Sequence, residues 1–145
     1  MTFVIDASTC LSWVLPDESP TEAAEAARLE LRRQPALVPA IWPLEVANTL
    51  LVVERRSRLE RGASRKLLIG LLRLPILVAA ETCELGAEER SWPLRVHEIA
   101  QEHALSSYDA SYVLLAHHRR LPMATDDEAL RRAARRLSVP ILGDR

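Results

Sequence analysis

The order of short apolar segments and helical segments constrains the fold of this chain more than any other feature of its sequence. The first apolar segment, residues 2–6, is β-favouring and shows no polar alternation, which is typical of a strand covered on both faces. Short apolar segments follow at residues 36–39, 76–79 and 121–125, and residues 139–142 form a weaker candidate for an edge strand. Helices are predicted between them, at residues 8–15, 21–33, 42–57, 63–72, 92–103, 106–118 and 128–137. This alternation predicts an α/β fold with a central, mostly parallel sheet of four or five strands, right-handed crossovers and helices on both faces.

Length and composition restrict the class of protein. A chain of 145 residues that is 48% hydrophobic can bury one sizeable core, so we expect a single domain over residues 1–145. The formal net charge of -1 provides no general attraction to nucleic acid, so any such contact must come from a local patch. Cys10 and Cys83 form no metal-binding or disulfide pattern, and no apolar run approaches the ~20 residues of a membrane span. We therefore expect a soluble cytoplasmic protein with no membrane partner.

Acidic residues fall at corresponding places in several of the predicted elements. They end the first strand, begin the third helix, begin the helix after residue 106 and follow the fourth strand: Asp6, Glu45, Asp109, and Asp126 with Asp127. Strand ends and the starts of the following helices share one rim of such a sheet, so the acids are expected to converge there. Carboxylates in one pocket repel each other without a cation, and oxygen-only ligands favour Mg²⁺ or Mn²⁺ over zinc. The predicted chemistry is metal-assisted phosphodiester hydrolysis.

Each acid also has a purely structural interpretation. Asp109 lies in a capping-box pattern, and Thr125 with Glu128 fits that pattern better still. Glu45 can be a solvated helix residue, whereas Asp6 is harder to explain because a carboxylate that closes a buried strand requires a partner. Helix capping does not require several elements to place acids on the same rim, so their joint placement favours a metal site.

Four sequence blocks carry a further pattern. In chain order they are Asp6-Ala7-Ser8 with Trp13 and Pro16-Asp17-Glu18, then Pro43-Leu44-Glu45-Val46-Ala47-Asn48, then Ser107-Tyr108-Asp109-Ala110, then Ala124-Thr125-Asp126-Asp127-Glu128-Ala129-Leu130. Together they resemble the PIN-domain family, in particular the VapC-type ribonuclease toxins of bacterial toxin–antitoxin pairs. The resemblance implies a three-layer α/β/α fold, a Mg²⁺- or Mn²⁺-dependent endoribonuclease acting on RNA, a homodimer, and inhibition by a cognate antitoxin.

The resemblance also assigns roles to individual residues. Asp6 and Asp109 would be the principal metal ligands, and Glu45 and Asp127 would complete the acidic pocket. The supporting polar groups would be Ser8, Asn48, Thr125, which orients the last acid, and Asp126, whose role relative to Asp127 stays open.

Other classes of function fit less well. A dinucleotide-binding oxidoreductase needs a glycine-rich turn after the first strand, where this chain has Asp6-Ala7-Ser8-Thr9. The alternative that stays open is a non-catalytic PIN-fold module for dimerisation or partner binding. Helix 42–57 is apolar around much of its circumference, which predicts contacts with both the sheet and a second subunit.

Overall fold

The computed structural model describes residues 2–144. Its strands are β1 (Phe3–Ile5), β2 (Ala36–Val38), β3 (Ile76–Val78) and β4 (Met123–Ala124). Its helices are α1 (Ala7–Leu11), α2 (Glu22–Glu30), α3 (Trp42–Arg55), α4 (Ala63–Leu72), α5 (Trp92–His103), α6 (Ser107–Arg119) and α7 (Glu128–Arg136), with a short 3₁₀ helix at Ala80–Cys83. Every predicted helix is therefore present, and α4 has the predicted bounds.

The strands form one parallel sheet in the order β3-β2-β1-β4. The chain extends the sheet on one side of β1 through α1 to α4, and then returns through α5 and α6 to place β4 on the other side. Right-handed crossovers that run in opposite directions put their helices on opposite faces, which gives the predicted three-layer α/β/α fold. The reversal of direction lies between β1 and β4, and ligands bind at the carboxyl ends of strands at such a point.

Burial differs between the strands because of their places in the sheet. Phe3, Val4 and Ile5 of β1 are fully buried, as the apolar run at residues 2–6 predicts. Leu77 and Val78 of β3 are 54% and 45% exposed, because β3 is at the edge of the sheet. Among residues 2–144, no helix is both long and apolar enough to cross a lipid bilayer.

The predicted strand at residues 139–142 is not formed. Ile141 makes one isolated parallel bridge to Met123 beside β4. Pro140 has no N–H to donate to a ladder, so pairing cannot extend through this segment. Its carbonyl accepts a hydrogen bond from Met123 N at 2.9 Å, and this contact holds the segment against the sheet.

Helix α3 has a buried face and an exposed apolar face. Val46, Leu50 and Val53 are buried in the core, where α3 packs against α1 and α4. Leu44 and Leu51 are 68% and 41% exposed. The packing on the fold is as predicted, and the contact with a second subunit stays a prediction.

Candidate active site

Asp6 is held at the carboxyl end of β1 by hydrogen bonds from three neighbours. It caps the N-terminus of α1, where Oδ1 accepts a hydrogen bond from Thr9 N at 2.9 Å and one from Ser8 Oγ at 3.2 Å. Thr125 Oγ1 donates to the other oxygen, Oδ2. This contact follows from the sheet register, because Ile5 pairs with Ala124 and the next residue of each strand is Asp6 or Thr125.

The environment of Asp6 disfavours its negative charge. The residue is only 4% exposed, and burial raises the pKa of its carboxyl above the ordinary value. The hydrogen bonds from Thr125, Thr9 and Ser8 oppose this shift without cancelling it. A positive partner would stabilise the ionised form of a buried carboxylate of this kind.

Glu45 lies in the first turn of α3 and is fixed by a side chain from another helix. Tyr112 Oη donates a hydrogen bond to Glu45 Oε1 at 2.7 Å. Burial raises the pKa of Glu45, and the negative charges of Asp109 and Asp6 raise it further, while the bond from Tyr112 lowers it. These charge effects place Glu45 within electrostatic range of two of the other acids.

Asp109 lies in the first turn of α6. Its backbone N–H donates to the capping hydroxyl of Ser106 at 3.0 Å, as the capping pattern predicts. Burial raises the pKa of Asp109, and the charge of Asp127 raises it further. A hydrogen bond from the Ser106 side chain to the carboxyl group opposes this shift without cancelling it.

Asp127 caps α7 with its own side chain. Its Oδ1 accepts a hydrogen bond from Leu130 N at 2.9 Å, and its backbone N–H donates to Thr125 Oγ1 at 3.1 Å. The capping box predicted for Thr125 and Glu128 is therefore wrong, because the Thr125 hydroxyl is committed to Asp6 and to the backbone of Asp127. Thr125 links the acids that follow β1 and β4.

Asp126, the neighbouring acid, is connected elsewhere. Its Oδ2 accepts a hydrogen bond from Thr21 Oγ1, the N-cap residue of α2, at 2.6 Å. The charge that raises the pKa of Asp109 comes from Asp127. Asp127 is thus the member of the pair that is electrostatically coupled to the other acids.

The acid cluster, defined as Asp6, Glu45, Asp109 and Asp127, contains no internal counter-charge. Among residues 2–144, none of its members forms an ion pair with arginine, lysine or histidine. The donors are carboxylate oxygens, which suit Mg²⁺ or Mn²⁺. Within the same range, no group of three or more acidic, histidine or cysteine side chains is placed so that it could hold a metal ion. A cation at the cluster would have to complete its coordination with water, as Mg²⁺ usually does.

Two other residues near the cluster differ in how far the sequence reveals them. Asn48, predicted as a supporting group, is exposed and lies beside Glu45 in one cleft. Tyr112 is the residue that the sequence reasoning missed: it is 1% exposed and contacts Glu45 directly. Its position three residues after Asp109 puts both on one face of α6, but that spacing does not show that α3 brings Glu45 to its hydroxyl group.

Comparisons with known proteins bear on the family and the fold of the chain. Residues 3–136 match the PIN domain family. "VapC ribonuclease Mb0985" of Mycobacterium bovis and "Ribonuclease VapC9" of Mycobacterium tuberculosis are each 30% identical to this chain over 129 residues, covering 86% of this chain and 84% of the relative. The crystal structure of PAE2754 from Pyrobaculum aerophilum superposes with a TM-score of 0.66 and 22% sequence identity, covering 92% of this chain and 87% of that one. At that identity the structural likeness concerns the fold alone.

Proposed function

This chain belongs to the PIN-domain family, and from that premise we propose that it is a divalent-metal-dependent endoribonuclease that hydrolyses phosphodiester bonds of RNA. The observation that carries the proposal is the acid cluster, whose members have no cationic partner among the described residues. Its place at the carboxyl ends of β1 and β4 is where ligands bind in sheets of this topology. Relatives named as ribonucleases support RNA as the substrate.

The residues of the cluster have different roles in this proposal. Asp6 and Asp109 are the principal ligands for Mg²⁺ or Mn²⁺, and Asp127 completes the acidic pocket. A bound ion would supply the positive charge that the acids lack and would polarise the phosphodiester for attack by water. Asp6 is kept in one orientation by Ser8, Thr9 and Thr125, so little reorganisation is needed when substrate binds.

Glu45 is proposed as the group that orients the attacking water and accepts its proton. Tyr112 occupies Oε1, which leaves Oε2 free to accept a hydrogen bond from water. The raised pKa of Glu45 brings it closer to the operating pH, where a general base is most effective.

The biological role that we propose is that of a toxin in a toxin–antitoxin pair. The relatives named VapC support this assignment. The proposal also includes inhibition by a cognate antitoxin protein, homodimer formation and action in the cytoplasm. We further propose that residues 1–145 act as a single domain. Co-expression with the protein encoded by the adjacent gene, followed by co-purification and an inhibition assay, tests the antitoxin partner.

Cleavage of total cellular RNA by the purified protein tests the nuclease. We expect cutting in Mg²⁺ or Mn²⁺ that stops in EDTA and is lost in Asp6→Ala. A folded wild-type protein that binds Mn²⁺, is free of antitoxin and leaves both structured and unstructured RNA intact would contradict the proposed activity.

A second candidate function is a non-catalytic module for dimerisation or partner binding. The exposed Leu44 and Leu51 on α3 favour it, because large apolar side chains left in water often mark an interaction surface. In that case Asp6→Ala would leave partner binding unchanged, and RNA would stay intact with either metal.

A further inference from the structure

Tyr108 is an anomaly among the aromatic residues of this protein. It is 60% exposed, whereas Phe3, Trp42, Trp92 and Tyr112 are buried. An aromatic side chain has a large apolar surface, so leaving it in water is unfavourable unless something covers it in function. Within residues 2–144, no hydrogen bond from its hydroxyl group holds the ring in place. In the sequence, Tyr108 directly precedes Asp109, a member of the acid cluster.

Tyr108 separates two neighbouring clefts. The first, of about 380 Å³, is lined by Glu45 and Asn48 of α3. The second, also of about 380 Å³, lies where α5 and α6 begin and is lined by Trp92 and His97. Tyr108 and Ile41 belong to the walls of both clefts, so a ligand on the Tyr108 ring lies directly beside Glu45.

The residues that line the two clefts favour binding of a nucleobase over binding of a phosphate group. Among residues 2–144, no arginine or lysine lines either of them, so they offer no permanent positive charge for a phosphate group. The walls of the second cleft are mostly apolar, and together with the exposed Tyr108 ring they suit the flat surface of a nucleobase. The Asn48 amide can both donate and accept hydrogen bonds, and it has no partner in the described part of the chain. Such an amide can pair with the polar edge of a base.

We propose that Tyr108 and the clefts on either side of it form a nucleobase subsite for the nucleotide next to the cleaved phosphodiester. Tyr108 stacks on the base, and Asn48 contacts its edge. This inference rests on the proposed nuclease function and adds to it the part of the substrate that the protein recognises. The expected ligand is single-stranded RNA, since a base in a duplex cannot present its face to a side chain.

A second copy of the chain is the competing occupant. It is less favoured because the cleft beside Tyr108 also contains Glu45, so a protein surface seated there would fill the space that the substrate needs. A base that is part of the substrate creates no such conflict.

The test compares Tyr108→Ala, Tyr108→Leu and Tyr108→Phe with wild type. The probes are a fluorescent ten-nucleotide oligouridylate and an abasic chain of the same length, both in Ca²⁺, an oxygen-preferring cation that can neutralise the acids. We expect Tyr108→Ala and Tyr108→Leu to weaken oligouridylate binding by about tenfold and abasic binding hardly at all, because only a base can stack on the ring and the loss of one stacking contact is of that order. Tyr108→Phe keeps the aromatic face and should bind like wild type.

Three results would overturn the subsite, and they are distinguishable from failure of the nuclease. Wild type that cuts RNA, with Tyr108→Ala equal to it in affinity and fragment pattern, removes the subsite alone. Equal losses on both probes would indicate a general disturbance rather than stacking. A lower molar mass of Tyr108→Ala in light scattering would assign the ring to a contact between two copies. Wild type that neither binds nor cuts RNA removes the nuclease and the subsite together.

Discussion

The acids of the candidate active site and the acids of the periphery lie in different electrostatic environments. On the periphery, Asp17 is paired with Arg58 at 2.7 Å and Glu81 with Arg119 at 2.6 Å, and these bonds lower the pKa of both carboxyls. In the acid cluster, burial raises the pKa of its first three members in chain order, Asp6, Glu45 and Asp109. The chain has many arginines, yet among residues 2–144 none pairs with the cluster.

This difference shows where the fold leaves charge uncompensated. Peripheral acids gain little from their partners, since water and salt screen ion pairs near the surface. Burial of Asp6 without a positive partner is unfavourable for folding, and this supports the proposal that a cation binds at the cluster. Substitutions of acids in the cluster and of acids on the periphery are therefore expected to have different effects on cleavage and stability.

The largest difference in RNA cleavage is expected between two variants that each remove the charge of one acid, one in the acid cluster and one on the periphery. Asp109→Asn should lower RNA cleavage by at least about 100-fold, the upper end of the loss for outer-shell metal partners. Glu81→Gln breaks its ion pair with Arg119 and should leave cleavage unchanged. Initial rates on the same RNA in saturating Mn²⁺ measure both, and equal losses in the two variants would remove the distinction.

A smaller effect should separate the neighbouring acids after β4. Asp127→Asn keeps a good N-cap residue for α7 but removes its charge, so cleavage should fall on the order of tens-fold with little change in thermal stability. Asp126→Asn removes a charge that faces Thr21 of α2 and should change cleavage little. If Asp126→Asn abolishes cleavage while Asp127→Asn does not, the assignment of Asp127 is wrong.

Loss of the hydroxyl group that fixes Glu45 should have a moderate effect. Tyr112→Phe is expected to weaken Mn²⁺ binding or cleavage by about tenfold and to cost about 1 kcal/mol of stability. The matched control is Ser12→Ala, which removes a hydroxyl bond to the Thr9 carbonyl, at 2.7 Å, without touching an acid. Calorimetric metal titration and thermal unfolding measure the two effects separately. An equal loss of cleavage in the control would make the effect one of general stability.

The smallest effect concerns stability and pH in the absence of metal. Because the folded-state pKa of Asp6 is raised, its contribution to the free energy of unfolding is fully present below the ordinary pKa of 3.8 and is lost as pH rises through the folded-state value. Metal-free Asp6→Asn should therefore gain stability relative to wild type as pH rises.

Asp17 should behave in the opposite sense. Its pKa is lowered by Arg58, so its contribution is present above the ordinary value and is lost as pH falls through the folded-state pKa. Unfolding temperatures of wild type, Asp6→Asn and Asp17→Asn, measured in EDTA across the acidic to neutral range, check both signs. Parallel curves for wild type and Asp6→Asn would show that burial does not penalise this carboxylate.

Much of the fold and part of the site could be predicted from local sequence patterns. Apolar runs and proline positions indicated every α-helix and all strands of the sheet, but not the 3₁₀ helix at Ala80–Cys83, because these signals act over a few neighbouring residues. The topology of a parallel sheet also brings the ends of β1 and β4 together, which predicted that Asp6 and the acids after β4 share one rim.

The parts that could not be predicted depend on contacts between distant residues. In the sequence, Tyr112 has the features of an ordinary core residue of α6. Only the packing of α3 brings Glu45 to its hydroxyl group. The sequence pattern around Thr125 predicts a helix cap. It does not show that the Thr125 hydroxyl donates a hydrogen bond to Asp6, at the end of a neighbouring strand. A side chain with several possible partners is decided by tertiary packing, which local spacing does not determine.

Direct measurement of Mn²⁺ binding tests the central claim that the acid cluster holds a divalent cation. Electron paramagnetic resonance of free Mn²⁺, titrated with wild type, Asp6→Asn and Glu81→Gln near neutral pH, separates the cluster from the periphery. We predict saturable binding to wild type and Glu81→Gln, and loss of that binding in folded Asp6→Asn. Equal binding by all three proteins would contradict the claim and place the cation outside the acid cluster.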